Sequence, residues 1–183
     1  MIELNFKESI FYHKIKSQLT KNDFPWFFEK YGNEEVTNFN FLSHVIIKRN
    51  DTKIYSSMYN DVYDLLTEIS NNYKFRINRV FRMAFNLTYP CGLEKSGIHT
   101  DHEFEHKNMI IYFENSIEKI GTIVYKDKVN KDVKHTFLRN KKMKVLKETT
   151  GEEGTGIMFD GKYYHEACLP KKDKRIILVT TFI

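Results

Sequence analysis

The stretch Gly97-Ile98-His99-Thr100-Asp101 sets an imidazole and a carboxylate two residues apart. On a strand, side chains at i and i+2 share a face, so both groups could reach one cation. Seven His and nine Asp in 183 residues produce such a pair by chance about one time in three, so the spacing carries little weight alone. A third candidate ligand, His165, falls on a predicted strand within MFDGKYYHEACLPKKDKRIILVTTFI. Two imidazoles and one carboxylate on one face of an octahedral ion leave the opposite face open, which suits Fe(II) chemistry. Zinc more often takes a tetrahedral site rich in His and Cys, and Cys91 and Cys168 show no metal-type spacing.

Arg175 lies ten residues after His165, across the turn Leu169-Pro170-Lys171-Lys172-Asp173-Lys174. Pairing of the two segments as a hairpin would return Arg175 to within roughly 10 Å of His165, given about 4.8 Å between strands and about 3.3 Å per residue. A five-carbon dicarboxylate spans such a gap. Its 2-oxo acid end can chelate the metal while its distal carboxylate meets the guanidinium as a bidentate pair. Taken singly, His99 and Asp101 would be an ordinary surface pair and His165 a hydrogen-bonded core histidine. The set of four outweighs that. His102 is expected on the opposite face, behind the site or exposed, and His106 on a loop at the mouth. His13, His44 and His135 read as surface or partly packed residues, and Phe159, Tyr163 and Tyr164 as core or pocket lining.

These residues need a scaffold. Phe11, Ile15 and Leu19 recur at four-residue spacing and predict a short helix. Pro25 in Phe24-Pro25-Trp26-Phe27-Phe28 predicts a turn or a second short helix. Residues Phe39–Lys48 alternate as a strand does. Ser56–Tyr73 carries one apolar stripe, Met58, Val62, Leu65, Leu66, Ile69 and Tyr73, and reads as a helix ending near Asn71-Asn72. From Arg79 the period becomes two: Phe81, Met83, Phe85, Leu87 and Tyr89 alternate with Arg82, Ala84, Asn86 and Thr88. Further strands are predicted at Gly97–Asp101, Asn108–Phe113, Thr122–Tyr125, Lys134–Leu138, Gly156–Phe159, Tyr163–Cys168 and Arg175–Phe182. Many short strands following helices predict a mainly β (α+β) chain, a jelly-roll core with N-terminal helices packed on one sheet. Residues 1–183 are expected to form one domain, with 1–78 as helical support and 79–183 as the core.

Composition bounds the alternatives. A hydrophobic content of 41% and an aromatic content of 15% predict a folded chain. No apolar run approaches the roughly 20 residues of a membrane span, and Met1-Ile2-Glu3-Leu4-Asn5 lacks a signal-peptide layout. Two cysteines without a framework fit a reducing, cytoplasmic setting. The net charge is +5, and Lys126–Lys147 holds nine Lys/Arg against two Asp. That segment makes a nucleic acid an alternative partner, although basic segments are more often solvated surface.

With these motifs in view, the stretch from Tyr89 to the C-terminus resembles the prolyl-4-hydroxylase-like branch of the 2-oxoglutarate/Fe(II) dioxygenases. That pattern is H-x-D, a distal His, then Arg or Lys about ten residues on, and FPWFF at Phe24–Phe28 is similar to a segment of small phage-encoded members. The resemblance implies a double-stranded β-helix (jelly roll), with His99, Asp101 and His165 as Fe(II) ligands and Arg175 as the anchor for 2-oxoglutarate. It also implies Tyr89, in the TYP motif, as a cosubstrate hydrogen-bond partner. IIYFEN is similar to the family's I-Y-Y-L-N strand, with Phe113 at the second tyrosine, which implies one hydroxyl donor fewer. Tyr112 faces the other side of a regular strand and is kept as a cosubstrate contact of less weight. Implied chemistry is hydroxylation of a C–H bond with O2, coupled to oxidative decarboxylation of 2-oxoglutarate to succinate and CO2, with ascorbate as a candidate reductant. The expected substrate is a peptidyl (prolyl) residue or a small molecule, in the cytoplasm, or a host's cytoplasm if phage-encoded. Two other readings stand beside it: a nucleic-acid-modifying oxygenase, and a non-catalytic jelly-roll binding module.

Overall fold

The computed structural model describes residues 1–30, 40–49, 51–114, 121–129 and 142–183. Among the described residues, ten strands form two sheets. They are β1 (Ile2–Asn5), β2 (Phe27–Lys30), β3 (Asn40–Ile47), β4 (Val80–Thr88), β5 (Lys107–Glu114), β6 (Thr122–Lys128), β7 (Val145–Glu148), β8 (Thr155–Asp160), β9 (Tyr163–Ala167) and β10 (Arg175–Phe182). The larger sheet runs β1-β8-β5-β10-β4-β3-β2 and the smaller β7-β6-β9, with every pairing antiparallel. This is the mainly β jelly roll the strand pattern predicts. The chain before β4 supplies β1, β2 and β3 to the larger sheet as well as two helices. Phe27 and Phe28 lie on β2, where a turn or helix was the expectation. The strand expected at 134–138 lies outside the described residues, as does most of the basic stretch from 130 to 141.

Helix α1 (Ile10–Leu19) starts at Ser9, whose Oγ accepts from the Tyr12 N–H at 3.2 Å. It buries Tyr12, Ile15 and Leu19 on one face. Helix α2 (Tyr59–Asn72) buries Val62, Leu65, Leu66 and Ile69. It closes through Lys74, at φ 54°, and not through an asparagine. The helical faces pack against Met83, Phe85 and Leu87 of β4, Met109, Ile111 and Phe113 of β5, and Ile176 and Leu178 of β10. Burying each large side chain there contributes about 1.5–3 kcal/mol, which fixes the outer face of the larger sheet. Strand alternation then turns the other residues inward. Ile110, Tyr112, Ile157, Phe159, Ile177 and Val179 meet Val124 of the smaller sheet. No helix among the described residues is long and apolar enough to cross a membrane.

Candidate metal centre

His99 and His165 are brought together by the backbone before any side chain acts. The His99 N–H donates to the His165 carbonyl and the His165 N–H donates back, both at 2.9 Å. Residues exchanging two such bonds are direct cross-strand partners, and their side chains lie on one face. The segment before Asp101 is not the regular strand expected. It forms two isolated bridges, His99 with His165 on β9 and Lys95 with Cys168 just past it. Val124 of β6, opposite His165, packs in the core between the sheets, so the pair points inward.

Each imidazole has its tautomer set by a main-chain acceptor. Nδ1–H of His99 donates to the Gly97 carbonyl at 3.0 Å, and Nδ1–H of His165 to the Tyr163 carbonyl at 3.2 Å. Nε2 of each ring is then the nitrogen with a lone pair to offer. His165 Nε2 lies 3.4 Å from Asp101 Oδ2, and one ligand atom from each of His99, Asp101 and His165 lies within 4.8 Å of the others. That donor set can hold a divalent metal ion. Burial by itself would raise the Asp101 carboxyl, but His165, Arg82 and His99 together hold it well below its usual range. The carboxylate is thus charged and ready to ligate.

Sequence reasoning missed two residues here. Arg49, just after β3, donates from Nη1 to the Asp101 carbonyl and from Nη2 to Asp101 Oδ1 at 3.1 Å. Arg82 on β4 donates to the same Oδ1 at 3.4 Å. Neither arginine sits in a motif with the ligands. Residues 82, 84, 86 and 88 form the inward face of β4, because 83, 85 and 87 are committed to the helices.

Behind Asp101, His102 donates or accepts at Thr181 Oγ1 over 2.8 Å, and His106 Nδ1 donates to the Phe104 carbonyl at 2.8 Å. Both histidines are buried, contrary to a mouth position for His106. Burial pulls His102 down to about 4 and lowers His106 as well.

Arg175 is 1% exposed on the inward face of β10. A hairpin between β9 and β10 does not form. β9 pairs with β6, whereas β10 lies between β4 and β5 in the larger sheet. Pro170 has no N–H to donate to a ladder, and the intervening residues cross from one sheet to the other. Arg175 thus reaches the interior from the sheet opposite the histidines. Its Nη2 has one acceptor, the Gly121 carbonyl at 3.4 Å, its guanidinium lies 5.5 Å from the Tyr112 ring centroid, and its Nε has no partner. No carboxylate among the described residues pairs with it. Burial lowers its pKa. A buried, unpaired guanidinium is costly and fits a site for an anion.

Tyr112 belongs to this cluster. Its hydroxyl meets Thr122 Oγ1 at 3.0 Å and Thr149 Oγ1 at 2.8 Å. A Cβ on Gly121 would collide with Thr149, so glycine lets these two segments close over Arg175. Phe113, by contrast, stacks on Tyr12 in the helical core with ring centroids 4.8 Å apart. Phe113 therefore faces the helical core, and the β5 hydroxyl that faces inward is that of Tyr112. Tyr89 lies just past β4, is 52% exposed, and makes no hydrogen bond among the described residues. The structure does not bring it into the cluster.

No family model matches the sequence, and no curated protein matches it. Solved structures do. A 2OG-Fe(II) oxygenase family oxidoreductase from Burkholderia pseudomallei superposes with TM-score 0.64 at 14% identity, over 93% of this chain and 77% of that one. A Pseudomonas putida prolyl-4-hydroxylase gives 0.63 at 11% identity, over 99% and 90%. The epimerase SnoN, in complex with Fe3+, alpha ketoglutarate and nogalamycin RO, gives 0.64 at 9% identity, over 100% and 78%. The chain shares the fold of these three structures. Within it, two histidines come from the smaller sheet and the segment bridged to it. Arg175 comes from the larger sheet, and Asp101 is tied to the larger sheet by two arginines.

Proposed function

We propose that this chain is an Fe(II)- and 2-oxoglutarate-dependent oxygenase that hydroxylates a C–H bond of a peptidyl residue or a small molecule. The observation that carries this reading is one interior holding both a His-Asp-His donor set and a buried arginine with no anionic partner among the described residues. His99, Asp101 and His165 would hold the iron, and Arg175 the distal carboxylate of 2-oxoglutarate. Tyr112, Thr122 and Thr149 support that end through their hydroxyl network. Bound iron would supply activation of O2, coupled to decarboxylation of 2-oxoglutarate to succinate and CO2, with ascorbate as reductant.

The chain's own residues do the rest. Nδ1 donation to main-chain carbonyls keeps both imidazoles oriented, leaving Nε2 of each to ligate. The apolar wall of Ile110, Phe159, Ile177 and Val179 excludes water from the interior, which strengthens every charge interaction there. A guanidinium fork on a rigid strand fixes the orientation of a dicarboxylate. The whole of 1–183 acts as one domain in this reading. Cys91 and Cys168 are both free thiols, consistent with a reducing cytoplasm. Of the basic segment's described lysines, Lys128 pairs with Asp160 and Lys147 with Glu3.

The test is anaerobic addition of Fe(II) and then 2-oxoglutarate, read by a visible metal-to-ligand charge-transfer band, followed by succinate formation in air with ascorbate. Wild type is expected to give both. A folded His99→Ala protein that binds Fe(II) as tightly as wild type would overturn the ligand assignment.

A further inference from the structure

Asp101 is held by three contacts from two arginines, and none of them is to Oδ2, the oxygen 3.4 Å from His165 Nε2. Arg49 reaches both the main-chain carbonyl and Oδ1, Arg82 adds a second guanidinium on Oδ1, and only Oδ2 faces His165 Nε2. Arg49 is 38% exposed and anchored just beyond β3, whereas Arg82 is largely covered on β4. Two cations on one carboxylate oxygen do not help a metal bind. Each repels a divalent ion, and each competes for the same ligand. The arrangement needs another reason.

We propose that Arg49 and Arg82 are positioning residues that restrict Asp101 to one-oxygen ligation. This inference rests on the function proposed above. An octahedral ion with three single-atom protein ligands keeps three positions for reactants. A 2-oxo acid chelating through two oxygens takes two, and one remains. A carboxylate that ligated through both oxygens would occupy a position the cosubstrate or O2 requires. With Oδ1 committed to two guanidiniums, that swing is blocked. Arg49 also fixes the Asp101 backbone, so the side chain cannot escape by shifting its main chain.

The expectation is opposite to that for general structural damage. Loosening a site by disorder weakens metal and cosubstrate together. Releasing Oδ1 and removing a cation instead leaves metal binding intact or tighter, while cosubstrate binding suffers. The experiment uses the full chain with Co(II) as the probe, titrated first alone and then with 2-oxoglutarate, for wild type, Arg49→Met, Arg82→Met, Arg49→Lys and Arg82→Lys. Co(II) absorption reports the ligand number, and thermal melting of the metal-free protein reports the fold. Both Met variants are expected to bind Co(II) no more weakly than wild type. Their 2-oxoglutarate affinity falls about tenfold or more, the size of effect outer-sphere ligand partners commonly have. Their Co(II) spectra change before cosubstrate is added. The Lys variants, keeping a cation on Oδ1, recover part of the affinity. Co(II) binding that weakens in the Met variants, or cosubstrate binding that stays at the wild-type value, would overturn the proposal. Exposed Arg49 keeps the test sound if Arg82→Met fails to fold. Failure of wild-type Co(II) protein to bind 2-oxoglutarate at all would count instead against the proposed function.

Discussion

A buried arginine without an anion makes a two-sided prediction at the scale of one residue. Arg175 bears a full charge in the interior, with one long contact to a carbonyl and an unpartnered Nε. Arg175→Met removes that cost, so the cosubstrate-free protein should become more stable, by about 1 kcal/mol or more. For a chain of this size that raises Tm by about 2–4 °C per kcal/mol. The same variant should lose about 10- to 100-fold in 2-oxoglutarate affinity, since a charge-assisted pair contributes about 1.5–3 kcal/mol. Thermal melts without ligand and calorimetric titration with 2-oxoglutarate read the two halves. A drop in both would mean that Arg175 serves packing. Chemical type and spacing singled out His99, Asp101 and His165, which the fold does gather, whereas the hairpin expected to return Arg175 to them does not form. Face assignment was not legible. Both faces of β4 and β5 are largely covered, so alternation marks two faces without saying which meets the helices. Tyr112 was expected on the other side of its strand for that reason, whereas it faces inward and Phe113 faces the helices.

At the scale of elements, the link from Asp101 to β5 carries two histidines, His102 and His106, that burial disfavours in the charged form. His106 is covered by its own loop and by Gly161, whose missing side chain makes room for the ring. Burial holds its pKa below the usual value near 6.5, so the folded state favours the neutral form. The unfolded chain takes up a proton below about pH 6.5 while the folded one resists, so stability falls as pH drops through that range. The slope for one such group is at most about 1.4 kcal/mol per pH unit. Melts of metal-free protein between pH 7.5 and 5 should show this loss, and His106→Phe should flatten part of it. An unchanged slope in that variant would assign the acid sensitivity elsewhere. The helices and most core strands were readable because their apolar stripes are long. Short edge strands β1, β2 and β7 were not, since four residues hold too few alternations to stand out. The crossing from β9 to β10 was also hidden, because a hairpin and a sheet-to-sheet connection need turns of similar composition.

Across the whole molecule, the site is divided between two sheets, and that division has a thermodynamic consequence. The two histidines lie with the smaller sheet, Arg175 with the larger, and Asp101 is tied to the larger one through Arg82. A metal with a bound dicarboxylate would therefore tie the sheets together across their shared core. Ligands that bind only the folded state stabilise it by RT ln(1 + [L]/Kd), about 2.7 kcal/mol at a hundredfold excess over Kd. For independent sites, the shifts from metal alone and 2-oxoglutarate alone would add. For a bridged site, 2-oxoglutarate alone should shift Tm little, and the pair together should exceed the sum. Hydrogen exchange should slow in β9 and β10 alike only when both are present, since each strand opens less when the sheets are joined. His99→Ala should abolish the excess, and a chelator should reverse it in wild type. Additive shifts, or protection confined to one sheet, would place the two ligands in separate sites and break the link between the histidine cluster and Arg175.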